Sequence, residues 1–177
     1  MYLHRMPISV AAREDIAALT SLINSAYRGE SSKQGWTTEA DLLKGSQRTD
    51  EPSMAVLLQD TNARILKYVS HDETITGCVY LRHEDGGLYL GMLTVSPAAQ
   101  GQGIGKKLLF AAENYAANEG CTFIIMNVIS VRHELIDWYK KHGYIDTGNR
   151  SPFPEDHRFG VPTRELEFMI LKKEILK

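Results

Sequence analysis

Three glycines alternate in the stretch Gln100-Gly101-Gln102-Gly103-Ile104-Gly105-Lys106. A strand-like segment stopped by Pro97 precedes it, and an amphipathic helical pattern follows. Glycine reaches backbone conformations closed to other residues and lets a ligand approach the chain closely. The first turn of a helix offers N–H groups without internal partners, at the positive end of the helix dipole. Together these features suit a phosphate or diphosphate. A plain glycine turn is the alternative that the residues alone leave open. Lys106 and Lys107 sit where cations oppose the dipole; a neighbouring anion offsets this, and so does simple exposure to water.

Two common phosphate motifs fail here. The dinucleotide fingerprint G-x-G-x-x-G, counted from Gly101, meets Lys106 where its last glycine belongs. The nucleoside triphosphate loop G-x-x-x-x-G-K-[ST] fits at Gly105-Lys106, but Gln100 replaces its first glycine and Lys107 its hydroxyl residue. A second segment with chemical potential is Glu134-Leu135-Ile136-Asp137-Trp138-Tyr139-Lys140-Lys141-His142-Gly143-Tyr144. Leu135, Tyr139 and His142 share one helical face. A phenol with a pKa near 10 can share or return a proton to a thiolate, whose thiol has a pKa of roughly 8.5. A core tyrosine with a satisfied hydroxyl is the alternative.

Gln100-x-x-Gly103-x-Gly105 resembles the Q/R-x-x-G-x-G/A signature of the GNAT superfamily of N-acetyltransferases, and Tyr139 to Tyr144 resembles that family's helix ending in Y-x-x-x-G-[FY]. The resemblance spans residues 90–144, and extends loosely over the whole chain by element order. It implies an acyl-CoA N-acyltransferase fold: a central, mostly antiparallel mixed sheet, splayed between the strand ending near Val95 and the strand starting near Thr122, with helices on both faces. It implies acetyl-CoA as donor, with the pyrophosphate on the amides of Gln100, Gly101, Gln102, Gly103, Ile104, Gly105 and Lys106. The pantetheine arm would lie beside Leu93, Thr94 and Val95 like an added strand. Tyr139 takes the place of the general acid. The expected function is acetyl transfer to a primary amine of a small molecule, peptide or protein; a non-catalytic acyl-CoA-binding sensor is the alternative.

The sequence departs from that pattern in three places. Arg132 stands where the family commonly has Asn, Leu135 where it has alanine, and Gly91 where many members carry a carboxylate base. Glu30 becomes the leading candidate for the base, with Asp137 and Glu134 beside Tyr139 as further ones; a solvated loop carboxylate is the plain reading of Glu30. Substrate contacts are expected from residues 30–37 and 149–162, where Trp36, Phe153 and Phe159 could wall a pocket or pack on the core.

The elements that must position these residues follow from periodicity. Residues 2–10 read as a strand and 11–27 as a helix, with Ile16, Leu19, Leu22, Ile23 and Ala26 at helical spacing. Residues 28–34 read as a loop, 37–44 as a short capped helix, and 50–59 as a helix started by Asp50 and Pro52. Residues 65–70, 74–82 and 88–95 form an antiparallel meander. A helix from about 102 to Gly120, an apolar strand over 122–129 suited to burial on both faces, a helix over 132–142, a strand over 144–148, a loop over 151–162 and a strand over 166–171 complete the chain. The order implies an α/β mixed sheet with helices on both sides.

With 177 residues, no repeat and no linker, the chain reads as a single domain over 1–177. The formal net charge of −2 and the scattered basic residues argue against nucleic acid as a partner. No apolar run has a membrane helix's length, so no membrane partner is expected. Six dispersed histidines give no metal site, and Cys78 and Cys121 give no disulfide framework, which favours a reducing, cytoplasmic setting. Cys121 opens a buried strand and reads as a small core residue. A homodimer stays open.

Overall fold

The computed structural model describes residues 6–176. Its main sheet has seven strands in the order β1-β3-β4-β5-β6-β9-β7, with β1 at Ile8–Val10, β3 at Ala63–Val69, β4 at Ile75–Glu84, β5 at Gly87–Val95, β6 at Phe123–Ile129, β7 at Ile145–Pro152 and β9 at Glu167–Glu174. Every pairing is antiparallel except β5 with β6. That parallel pair is joined only at Leu88 with Ile124 and Tyr89 with Ile125. Beyond those residues the two strands part, and the sheet is splayed there.

Alternation along the central strands splits the core in two. Val79, Leu81, Leu88 and Leu90 pack with Leu108, Leu109 and Ala112 of α4 (Ile104–Asn118) and with Ile136 and Tyr139 of α5 (His133–Lys141). On the opposite face, Ile65, Cys78 and Tyr80 pack with Leu19 and Ile23 of α1 (Ile16–Tyr27) and with Met54 of α3 (Glu51–Gln59). The helix expected from Asp50 and Pro52 forms as read: the Asp50 side chain accepts from the Ser53 amide at 2.8 Å.

Several local expectations give way to tertiary contacts. The expected first strand is found over Ile8–Val10, and the part over 2–5 lies outside the described residues. Residues 29–32, read as loop, form one helical turn, α2 (Gly29–Ser32). The helix expected over 37–44 does not form. Thr38 pairs its hydroxyl with Ser32 at 2.6 Å and accepts from the Ala40 amide, while the Glu39 side chain is drawn into the protein by arginines. The chain makes one turn, with the Leu42 and Leu43 amides both bonding the Glu39 carbonyl at 2.9 Å, and then enters β2 (Leu43–Lys44). β2 pairs with β8 (Val161–Pro162), a strand inside the expected long loop. β6 is buried fully on one face only: Ile124, Met126 and Val128 face the helices, whereas Ile125 is half-buried and Asn127 exposed. No helix of the described residues is long and apolar enough to cross a membrane.

Candidate active site

Parallel strands that part toward their C-terminal ends leave a cleft there, and both following helices start at that end. β5 leads through a 3-10 turn at Pro97–Ala99 into α4, and β6 leads into α5. The loop entering α4 is exposed over residues 101–103, and its glycines supply the geometry: Gly101 and Gly103 lie at φ 81 and 77°. Among the described residues, no carbonyl or side chain accepts a hydrogen bond from the amides of residues 101–106; the first amide bonding back along α4 is that of Lys107, to Gly103 at 3.1 Å. This row of unpaired donors fits an anion of diphosphate kind. Lys106 is exposed beside it, and Lys107 turns away, its Nζ lying 5.6 Å from the Tyr68 ring centroid.

The side chain of Gln100 does different work from its neighbours. It accepts from the Trp36 amide at 3.0 Å and donates to Thr37 Oγ1 at 3.0 Å and to the Val95 carbonyl at 3.2 Å. Gly35 permits this approach, since a Cβ there would stand 2.6 Å from Gln100 Oε1.

β5 carries a bulge where it leaves β6. Cys78 pairs with Thr94 and Tyr80 with Gly91, so Met92 and Leu93 together oppose Val79, and Met92 takes φ 47°. The bulge turns the backbone toward the cleft. The Leu93 carbonyl accepts from the Tyr27 hydroxyl, and the buried Thr94 hydroxyl caps the Met92 carbonyl at 2.9 Å. Leu93 and Val95 therefore present the same strand edge to the gap left by β6.

Between the parted strands lies a cavity of about 60 Å³, walled by residues 90–93 and 126–129 and by Tyr27, Glu39, Arg48, Arg132 and Tyr139. Tyr139 is 5% exposed, and its hydroxyl has no hydrogen-bond partner among the described residues. Burial raises its phenol well above the usual tyrosine range. Cys78 is buried beneath the bulge, and burial pushes its thiol up to about 12. Asn127 also borders an open groove of about 430 Å³ on the α1–α3 side, flanked by Tyr80, Arg82 and Tyr89.

Glu39 is the one carboxylate in the cavity wall among the described residues, and three arginines surround it. Arg28 pairs with one oxygen, Arg132 with the other at 3.2 Å, and Arg48 Nε stands 3.6 Å away. Burial opposes the charge on Glu39, but Arg48, Arg132 and Arg28 outweigh it and hold the carboxyl below its usual range. Arg132 also donates to the Thr37 carbonyl at 2.6 Å, and Arg28 to the Phe159 carbonyl at 3.2 Å.

The structure thus brings Tyr139 to the cleft between residues 93–95 and β6, with the glycine loop at the C-terminal end of β5. It does not bring Glu30 there. Glu30 lies on α2 with an 88% exposed side chain, paired to Lys33 at 2.8 Å. Neither expected contact segment supplies cavity wall: Phe153 packs on Phe168 at 5.2 Å, and Trp36 lies 6.4 Å from Trp138. Tyr27, Glu39 and Arg48 escaped the sequence reading. Arg132 was read only as a departure from the family pattern, and the structure places it on Glu39.

The sequence model of the acetyltransferase (GNAT) family matches residues 18–144. Acetyltransferase Atu2258 of Agrobacterium fabrum is 31% identical over 81 residues, which is 46% of this chain and 58% of that protein, so the match spans little more than half of that relative. The ribosomal-protein-S18-alanine N-acetyltransferase of Escherichia coli has the same fold, with TM-score 0.72 at 13% identity over 96% of this chain and 94% of that one. So does yncA of Salmonella typhimurium, solved with its cofactor acetyl-CoA, with TM-score 0.70 at 20% identity over 98% and 95%. With its splayed sheet and a family match over most of its length, this chain belongs to the acetyltransferase (GNAT) family.

Proposed function

We propose that the chain transfers an acetyl group from acetyl-CoA to a primary amine, with the cavity between β5 and β6 as the place of reaction. The observation that carries this reading is the occurrence of unpaired amides at residues 101–106 together with the unpartnered hydroxyl of the buried Tyr139, which lines the cleft where the parallel strands part. In the reading, the amides of Gln100 to Lys106 bind the pyrophosphate, and the edge of Leu93, Thr94 and Val95 receives the pantetheine arm. Acetyl-CoA supplies a thioester, and yncA, of like fold, was solved with it.

The residues of the chain then have separable tasks. The amine reaches the cavity from the open groove past Asn127. It must be neutral to attack, and an ordinary lysine-like amine has a pKa of about 10. Three arginines against one carboxylate leave a positive surplus around the cavity, which favours the neutral amine. Glu39, held ionised by those arginines, is a weak base. As the new C–N bond forms, the C–S bond breaks. The amine loses one proton and the thiolate gains one, so no further reactant is needed. Tyr139, protonated throughout the neutral range, donates a hydrogen bond to the sulfur as it leaves.

Calorimetry with acetyl-CoA, followed by thiol release against a panel of amines, tests the proposal. Binding together with release supports it. Binding with no release on any amine would favour the sensor reading, which the absence of an unencumbered carboxylate in the cavity among the described residues supports. No binding would overturn both.

A further inference from the structure

Arg48 differs from its two companions. Arg28 and Arg132 each hydrogen-bond a Glu39 oxygen and a backbone carbonyl. The Arg48 guanidinium makes no hydrogen bond among the described residues. It stands 4.3 Å from the Tyr27 ring centroid, and its Nε is buried without an acceptor, 3.6 Å from Glu39. Its backbone is nonetheless fixed: Asn24 Oδ1 accepts from the Arg48 and Thr49 amides at 2.6 and 3.0 Å, and Asn24 Nδ2 donates to the Thr49 carbonyl at 3.0 Å. A guanidinium carries five donors in a rigid fork matched to an oxyanion. Here that fork is stacked, held in place and turned into the cavity wall with its donors unused.

The charge balance agrees. Glu39 offsets one of the three arginines, so two positive charges remain around the cavity. Partly buried cations without counterions are costly, and a ligand anion removes that cost. The cavity is small, about 60 Å³, and Arg48 and Tyr139 both line it.

We infer that the acceptor carries an anionic group, a carboxylate or equivalent oxyanion, a few bonds from its amine, and that Arg48 holds that group. The acceptor class is thus the small amino acid, rather than a polyamine or a lysine side chain. Arg28 and Arg132 are positioning residues that neutralise Glu39 and leave Arg48 free for the ligand. This inference rests on the reading that acyl transfer takes place in this cavity.

The test compares the standard α-amino acids with their carboxamides, measured as kcat/KM for thiol release from acetyl-CoA. Breaking one partner of a desolvated charge pair predicts a preference of about a hundredfold for the carboxylate, expressed mainly in KM. Arg48→Met narrows that preference to below about tenfold, and Arg48→Lys, which keeps the charge but loses the stacked fork, retains only part of it. Circular dichroism and a thermal melt of each variant separate loss of fold from loss of recognition. Equal turnover of acid and amide by the unaltered enzyme would overturn the inference and leave acetyl transfer standing, as would turnover confined to polyamines or lysine peptides. If no amine is turned over, calorimetry of N-acetyl amino acids against their amides, with CoA present, reads the anion site directly. Tighter binding of the acid that Arg48→Met removes supports the site, and equal binding overturns it.

Discussion

The two ends of the cleft are built from different parts of the chain. At the end near α4, the backbone offers the polar groups: exposed glycines and the unpaired amides of residues 101–106 form one contiguous stretch. At the inner end, side chains do it: Tyr27, Glu39, Arg48 and Arg132 come from four separate segments and meet only in the fold. A backbone site tolerates side-chain change but not loss of glycine geometry. A side-chain site can change its ligand by single substitutions while the fold persists. In the proposed reading the backbone end takes the donor and the side-chain end the acceptor.

The largest effect is expected at the backbone end. Gly103→Glu places a side chain at φ 77° and, in the proposed site, a carboxylate against the pyrophosphate. Calorimetry should show acetyl-CoA affinity lowered by about a hundredfold or more. Gly103→Asn is the informative partner, because Asn tolerates the left-handed region and the space there is open. It should cost only a few-fold. If Glu and Asn behaved alike, the amides of this loop would not be the diphosphate site.

At the inner end, Glu39→Gln removes the single counterion of three arginines. Urea unfolding should show a loss of about 3–5 kcal/mol, the usual cost of leaving a buried charge unpaired. The folded pKa of Glu39 lies below its unfolded value, so its contribution is present above the ordinary carboxylate pKa of about 4.3 and is lost as pH falls toward the depressed value. The variant should therefore lose part of the acid-induced drop in stability seen in the unaltered protein. A Glu39→Gln protein as stable as its parent would show that the arginines are already compensated.

Tyr139→Phe comes next. It deletes one hydroxyl in a buried cavity and should lower kcat about a hundredfold, with acetyl-CoA affinity changed less than about threefold. Unchanged turnover would remove Tyr139 from the chemistry and leave it a core aromatic, 5.8 Å from Tyr144.

Legibility in the sequence follows the same division. The glycine stretch and the Tyr139 helix were readable because each is local, with its chemistry written in consecutive residues. The meander and both long helices followed from periodicity, whereas the parted sheet was implied by the family resemblance. The Glu39 cluster was not readable, because nothing near Glu39 in sequence announces that Arg28, Arg48 and Arg132 will surround it. The same contacts explain the missed helix over 37–44: tertiary ion pairing captured Glu39, and the Thr37 carbonyl went to Arg132 rather than to a helical amide. Glu30 attracted attention as a loop carboxylate, yet its exposure and its pair with Lys33 separate it from the cavity.

The smallest expected effect lies at the junction of the two ends. Gln100 sits in the glycine stretch, but its side chain bonds Trp36, Thr37 and Val95. Thr37 in turn is held by Arg132, so Gln100 braces the segment that carries Glu39 into the cavity. Gln100→Ala removes these bonds and keeps the backbone amide. Folding stability should fall by about 1–2 kcal/mol. The acceptor KM should rise by a few-fold, with acetyl-CoA affinity held within about threefold. The opposite pattern, a tenfold loss for acetyl-CoA with the acceptor KM unchanged, would assign the Gln100 side chain to the pyrophosphate. Side-chain recognition would then extend into the glycine stretch itself.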